Sequence, residues 1–116
     1  MKLNHVNLTV EDVPAARDFL ARHFGLRPEG EGHKNFGMLI DDAGLVLTLM
    51  GVGETNEVVY PKTFHLGFIL PDEASVNDLH ASLRADGFAA EAPSRQHGAW
   101  GFSIQAPGGF RIAVRG

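Results

Sequence analysis

The sequence predicts an α+β protein made of two β-α-β-β-β modules that curve into a half-open β-barrel cup with the helices outside. Three observations carry that expectation. Short stretches alternate apolar and polar residues, the signature of half-buried strands. Two longer stretches repeat apolar residues at helical spacing between an acidic start and a glycine stop. The order of these stretches in the first half then recurs in the second. His5 matches His65, Gly25 matches Gly87, Gly44 matches Gly109 and Thr48 matches Ala113, at offsets of 60 to 65 residues. A repeat of this length marks a duplicated supersecondary unit. Each helix must cover one apolar sheet face, and the face left over must curl, pair or meet water. Two such sheets side by side would enclose a cavity.

The first strand is LNHVNLTV, residues 3–10. Val6, Leu8 and Val10 form its apolar row, and His5, Asn7 and Thr9 form a polar row that would become cavity wall. EDVPAARDFLARHFG follows. Asp12 is suited to cap a helix, and Pro14 sits in the first turn, where its missing N–H costs nothing. Val13, Ala16, Phe19, Leu20 and Phe24 recur at helical spacing, and Gly25 supplies a left-handed stop. The spacing predicts a helix over 13–24. FGMLID (36–41) and LVLTLM (45–50) read as strands about the tight turn DDAG. Residues 51–62, GVGETNEVVYPK, are polar and glycine-rich and read as a linker. Module one is therefore about 1–50 and module two about 63–116, within one domain.

Module two repeats the order. TFHLGFIL (63–70) is a strand, and PDEASVNDLHASLRADG opens at Pro71 and Asp72 and closes at Gly87, with Val76, Leu79 and Leu83 as its apolar stripe. GAWGFSIQAP (98–107) and FRIAVRG (110–116) are strands around the turn PGG. A short strand is expected near 88–92, by analogy with residues 26–29.

Composition narrows the function classes. The chain has 116 residues, with hydrophobic content of 44% and charged content of 21%, ordinary for a folded domain. The net charge is −4, and no run of Lys or Arg occurs. Nucleic acid and anionic membranes both need clustered cations, so neither is expected as a partner. The absence of cysteine excludes disulfides, a thiolate nucleophile and a cysteine metal site. No apolar stretch at the start has signal-peptide length, and none approaches the ~20 residues of a membrane span. The expectation is a soluble, cytoplasmic protein.

HVNLTVEDVPAARDFLARHFGL in the first half, and FHLGFILPDEASVNDLHASLRADGF with GFSIQAPGGFRIAV in the second, make the chain resemble the vicinal oxygen chelate superfamily. This is the glyoxalase, bleomycin-resistance and extradiol-dioxygenase group. The resemblance implies a cup in which metal-dependent members hold a divalent ion. One side chain from each first strand and one from each last strand would ligate it. The matching positions here are His5, His65, Thr48 and Ala113. Metal-using relatives carry Glu, Gln or His at the last-strand positions. Alanine cannot ligate, and a threonine hydroxyl replaces a carboxylate poorly. The implied metal site is therefore degraded. If a divalent metal binds at all, His5 and His65 hold it, and no other cofactor is expected. His33, His97, Glu54, Glu57 or Glu91 could complete such a site only by swinging in from loops.

Strand parity then predicts the lining. With Ala113 inward, Arg111 and Arg115 point inward too, while Phe110, Ile112 and Val114 pack under the helix. With Thr48 inward, Val46 and Met50 join it. Phe36, Met38, Trp100 and Phe102 are candidates for either face. The candidate ligand-binding set is His5, Asn7, Thr9, Thr48, Met50, His65, Trp100, Phe102 and Arg111. His23 and His80 read as surface side chains, Tyr60 as a linker packing residue, and Asp12 and Asp72 as helix caps. The expected function is binding of a planar or anionic small molecule in the cup, Arg111 being suited to clamp a carboxylate or phosphate. The alternative is a metal-dependent lyase, isomerase or dioxygenase with an atypical ligand set, or a metal-free catalyst with His5 or His65 as general base. No catalytic residue is assigned. Exposed sheet edges predict a homodimer.

Overall fold

A computed structural model describes residues 1–53 and 57–116; Glu54, named above as a loop carboxylate, lies outside the described residues. Contacts divide the chain into two compact units, Met1–Tyr60 with Pro107–Gly109, and Pro61–Ala106 with Phe110–Gly116.

The first unit contains β1 (His5–Val10), α1 (Val13–Phe24), β2 (Arg27–His33), β3 (Phe36–Ile40) and β4 (Val46–Gly51). The strands form one sheet in the order β1-β4-β3-β2, parallel between β1 and β4 and antiparallel elsewhere. Two distant strands can pair in parallel only through a long crossover, and here α1 with β2 and β3 supplies it. Leu8, Val10, Leu39, Leu47 and Leu49 are buried on one face, under Val13, Ala16, Phe19 and Leu20 of α1. Asp12 caps α1 as expected, its carboxylate accepting from the Ala15 N–H at 3.0 Å, and Gly25 ends it at φ 68°. The β3–β4 turn is tied by Asp41, whose Oδ1 accepts from the N–H groups of Ala43 and Leu45 at 2.9 and 2.8 Å.

β2 is longer than expected, and all seven of its residues are exposed. RPEGEGH lacks the apolar alternation that betrays a strand; it is held by pairing to β3 and by Arg17. The Arg17 guanidinium donates to the carbonyls of Glu29 and Gly30 at 3.3 and 2.8 Å. The guanidinium passes close over Gly32, where a Cβ would stand 2.7 Å from Arg17 Nη1. The turn Pro107–Gly109 belongs to this unit, with the Glu11 N–H donating to Gly108 O at 3.1 Å.

The second unit contains β5 (Leu66–Ile69), α2 (Glu73–Ala85), β6 (Ser94–Gln96), β7 (Ala99–Ala106) and β8 (Phe110–Arg115), in the sheet order β5-β8-β7-β6. Its pairing pattern repeats that of the first unit, with β5 and β8 parallel. Phe102, Ile104, Phe110, Ile112 and Val114 are buried on one face together with Val76 and Leu83 of α2. Asp72 caps α2, accepting from the Ser75 N–H and hydroxyl at 2.8 and 2.7 Å.

The short strand expected near 88–92 lies instead at Ser94–Gln96. Phe88 N–H still bonds back to Leu83 O in the helix stop, Ala90 N–H bonds locally to Phe88 O, and Pro93 has no N–H to give. Glu91 N–H makes one bond to Ser103 O of β7, and the regular ladder begins after Pro93, with Ser94 opposite Gly101. The architecture is thus α+β with two repeated modules, each a four-stranded open sheet covered by one helix.

Candidate functional site

The face of the first sheet opposite α1 carries most of the candidates from module one. Asn7 is in register with Thr48, Thr9 with Met50, Met38 with Thr48 and Phe36 with Met50. Paired residues share a face, so Phe36 and Met38 belong to this side. The row is knit by local bonds. Thr48 Oγ1 donates to Asn7 Oδ1 at 2.7 Å. His5 Nδ1 lies 2.7 Å from Asn4 Oδ1. Thr9 is fixed through its main chain, because the Tyr60 hydroxyl accepts its N–H at 2.9 Å and donates to its carbonyl at 2.7 Å. Tyr60 is therefore a packing residue with a defined task.

The corresponding face of the second sheet holds a groove of about 330 Å³. Register makes its floor. Ser103 lies opposite Ala113, Gly67 on the other side of Ala113, and Gln105 opposite Arg111. Small residues at 101, 103 and 113 leave the hollow. Gly101 is obligatory there, since a Cβ on it would run into the Val114 carbonyl. His65, Arg111 and Arg115 reach into the groove from β8 and the approach to β5, and Lys62, Glu91 and His97 border it. His65 is exposed, its Nδ1 2.9 Å from Thr63 O.

The groove's charge is opposite to that of the chain. Lys62, Arg111 and Arg115 face a single carboxylate, Glu91, in a protein of net charge −4. Arg111 Nη2 lies 3.2 Å from Glu91 Oε1, and their side chains are 42% and 62% exposed. An anion entering here meets cations that are not locked in a buried network.

Phe102 borders the groove and Trp100 does not, and the side chains of both lie on the helix side of β7. Phe102 is in register with Val114, on the helix side. Its ring is buried and meets His80 of α2 edge-on, with centroids 5.3 Å apart. His80 is accordingly a packing residue, not a free surface side chain. Trp100 Nε1 donates to Asn77 Oδ1 of α2 at 2.8 Å. The Arg95 guanidinium lies 5.6 Å from the Trp100 ring centroid and pairs with Glu73 at 2.7 Å. Both aromatics clamp α2 to its sheet.

A second hollow of about 500 Å³ lies between α1 and the β2–β3 hairpin, bordered by Val13, Arg17, Pro28, His33 and Lys34. Larger in volume, it holds none of the candidate ligand-binding residues, and the groove of the second unit is the better site on chemistry. No three His, Asp or Glu residues come close enough to share a metal ion among the described residues. Sequence reasoning missed the part that Lys62 and Ser94 play in the groove wall; Lys62 falls in the stretch read as a linker, and Ser94 opens β6, a strand expected several residues earlier.

Comparison with known proteins adds a family and a set of folds. The model of the Glyoxalase/Bleomycin resistance protein/Dioxygenase superfamily matches residues 2–114. The structure of a possible glyoxalase from Bacillus cereus is 45% identical, covers 100% of this chain and 99% of that chain, and superposes with a TM-score of 0.90. A lactoylglutathione lyase from Agrobacterium tumefaciens is 19% identical over 98% of this chain and 92% of that one, with a TM-score of 0.77. A glyoxalase/dioxygenase from Nostoc punctiforme is 24% identical over 98% and 89%, with a TM-score of 0.77. These last two are likenesses of fold. No curated protein matches the sequence.

Proposed function

The chain belongs to the glyoxalase/bleomycin resistance protein/dioxygenase superfamily, and from that premise we propose that it binds a small planar or anionic molecule over the open sheet face of module two, with a degraded metal site. The observation that carries this reading is the groove's surplus of cations in an acidic chain. Its volume of about 330 Å³ is at the lower end for small-molecule sites. Arg111 is the anchor, with a planar fork that matches a carboxylate or phosphate. His65 adds a second polar side chain at the groove wall, its Nδ1–H turned to the Thr63 carbonyl.

The donor set argues against the family's metal. Thr48 spends its hydroxyl proton on Asn7, and Ala113 offers a methyl group. Neither replaces a carboxylate ligand. The test is a thermal-shift screen of planar carboxylates and organic phosphates, run beside metal analysis of protein purified without chelator. A ligand at a hundred times its Kd should stabilise the fold by about 2.7 kcal/mol. Stoichiometric Zn, Ni, Mn or Fe, lost in His65→Ala, would overturn the degraded site.

A second reading is favoured by likeness to a possible glyoxalase from Bacillus cereus, at 45% identity. On that reading the chain is a metal-dependent enzyme with an unusual ligand set. Turnover that disappears on chelation would establish it. The unpaired edges of both sheets further support a homodimer. Light scattering that gives a strict monomer at micromolar concentration would remove that part of the proposal.

A further inference from the structure

Arg111 is not empty-handed in the groove: Glu91 already occupies one of its nitrogens. We infer that Glu91 is a resident stand-in for the ligand's anionic group, so that it sets the threshold which an incoming carboxylate or phosphate must exceed to bind Arg111. This rests on the reading of the groove as an anion site and names how that site is regulated.

Three features carry it. The contact is single, one Nη2 to one Oε1 at 3.2 Å, whereas a guanidinium can hold a carboxylate through two parallel bonds. An incoming carboxylate can thus offer Arg111 more than Glu91 does. The stand-in is delivered from a tethered segment, because the Glu91 N–H donates to Ser103 O at 3.3 Å on the groove floor. Its carboxylate swings from a fixed pivot and remains near Arg111 when displaced. Finally, the pair is 42% and 62% exposed, the regime in which an ion pair is weak enough to be exchanged. Lys62 and Arg115 form no ion pair among the described residues and are left to draw the anion in.

The experiment is a calorimetric and NMR titration with benzoate and with inorganic phosphate, following the Arg111 side-chain Nε–H signal. Four proteins are compared: wild type, Glu91→Gln, Arg111→Gln and the double variant. Glu91→Gln should tighten binding by roughly twofold to fivefold, the span that an exposed ion pair allows. That gain should vanish in the Arg111→Gln background, which separates competition at Arg111 from the general effect of one less negative charge. Both side chains are exposed, so the variants fold. Binding that is unchanged or weakened by Glu91→Gln, while Arg111→Gln abolishes it, overturns the stand-in and leaves the anion site standing. A gain that persists without Arg111 overturns it equally. Failure of wild type and Glu91→Gln alike to bind either probe at millimolar concentration overturns both readings.

Discussion

At residue scale, Gly101 shows how the hollow is made. Its place against the Val114 carbonyl lets β7 and β8 approach while leaving the groove floor shallow. Gly101→Ala must push main chain aside, which typically costs 1–3 kcal/mol in a packed interior. We expect a loss of about 2 kcal/mol, read as a lower urea midpoint with an unchanged slope. Asp72 makes a different prediction. Its hydrogen bonds from the Ser75 hydroxyl and N–H hold its carboxyl below the ordinary value of 3.8. Folding therefore favours the ionised form, and the resulting stability is fully present above pH 3.8, then drains away as pH falls through the lowered value. Asp72→Asn keeps a capping oxygen but cannot titrate. Its unfolding free energy should fall less steeply than that of wild type across this acidic window, while the two run parallel at neutral pH.

At element scale, the strongest signals in the sequence were those with both a period and a stop. α1 forms over the expected residues because Asp12, Pro14 and Gly25 bound a clean apolar stripe. β2 was partly illegible, since RPEGEGH buries nothing and is a strand only by pairing. In β7 the alternation of Trp100, Phe102 and Ile104 against Gly101, Ser103 and Gln105 already pointed to the helix side. Aromatic character alone suits a ligand wall and a helix contact equally. Arg111 was legible because parity needs only one anchor, and Ala113 supplied it. The β6–β7 hairpin holds a further expectation. Gln96 pairs with Ala99, so His97 and Gly98 form a two-residue turn, with φ of 51° and 79°. Asparagine fits the first of these positions better than histidine does. His97→Asn should raise the melting temperature, with a gain of up to about 1 kcal/mol, as followed by circular dichroism.

At the scale of the whole molecule, duplication was the most legible feature. Two sheets with the same strand order, each with a parallel outer pair, sit under offsets already visible from His5 and His65 to Thr48 and Ala113. No helix among the described residues is long and apolar enough to cross a membrane. The ligand's identity was not legible, because a groove lined with cations specifies a charge and leaves the remaining atoms open. The placement of Trp100 has an optical consequence. The chain's one indole is held between Asn77 and Arg95 on the helix side of β7, while the groove opens on the other. Its emission is therefore a gauge of whether α2 is seated, blind to what fills the groove. Through a saturating benzoate titration the spectrum should stay level. In urea it should move to the red in step with the loss of helix.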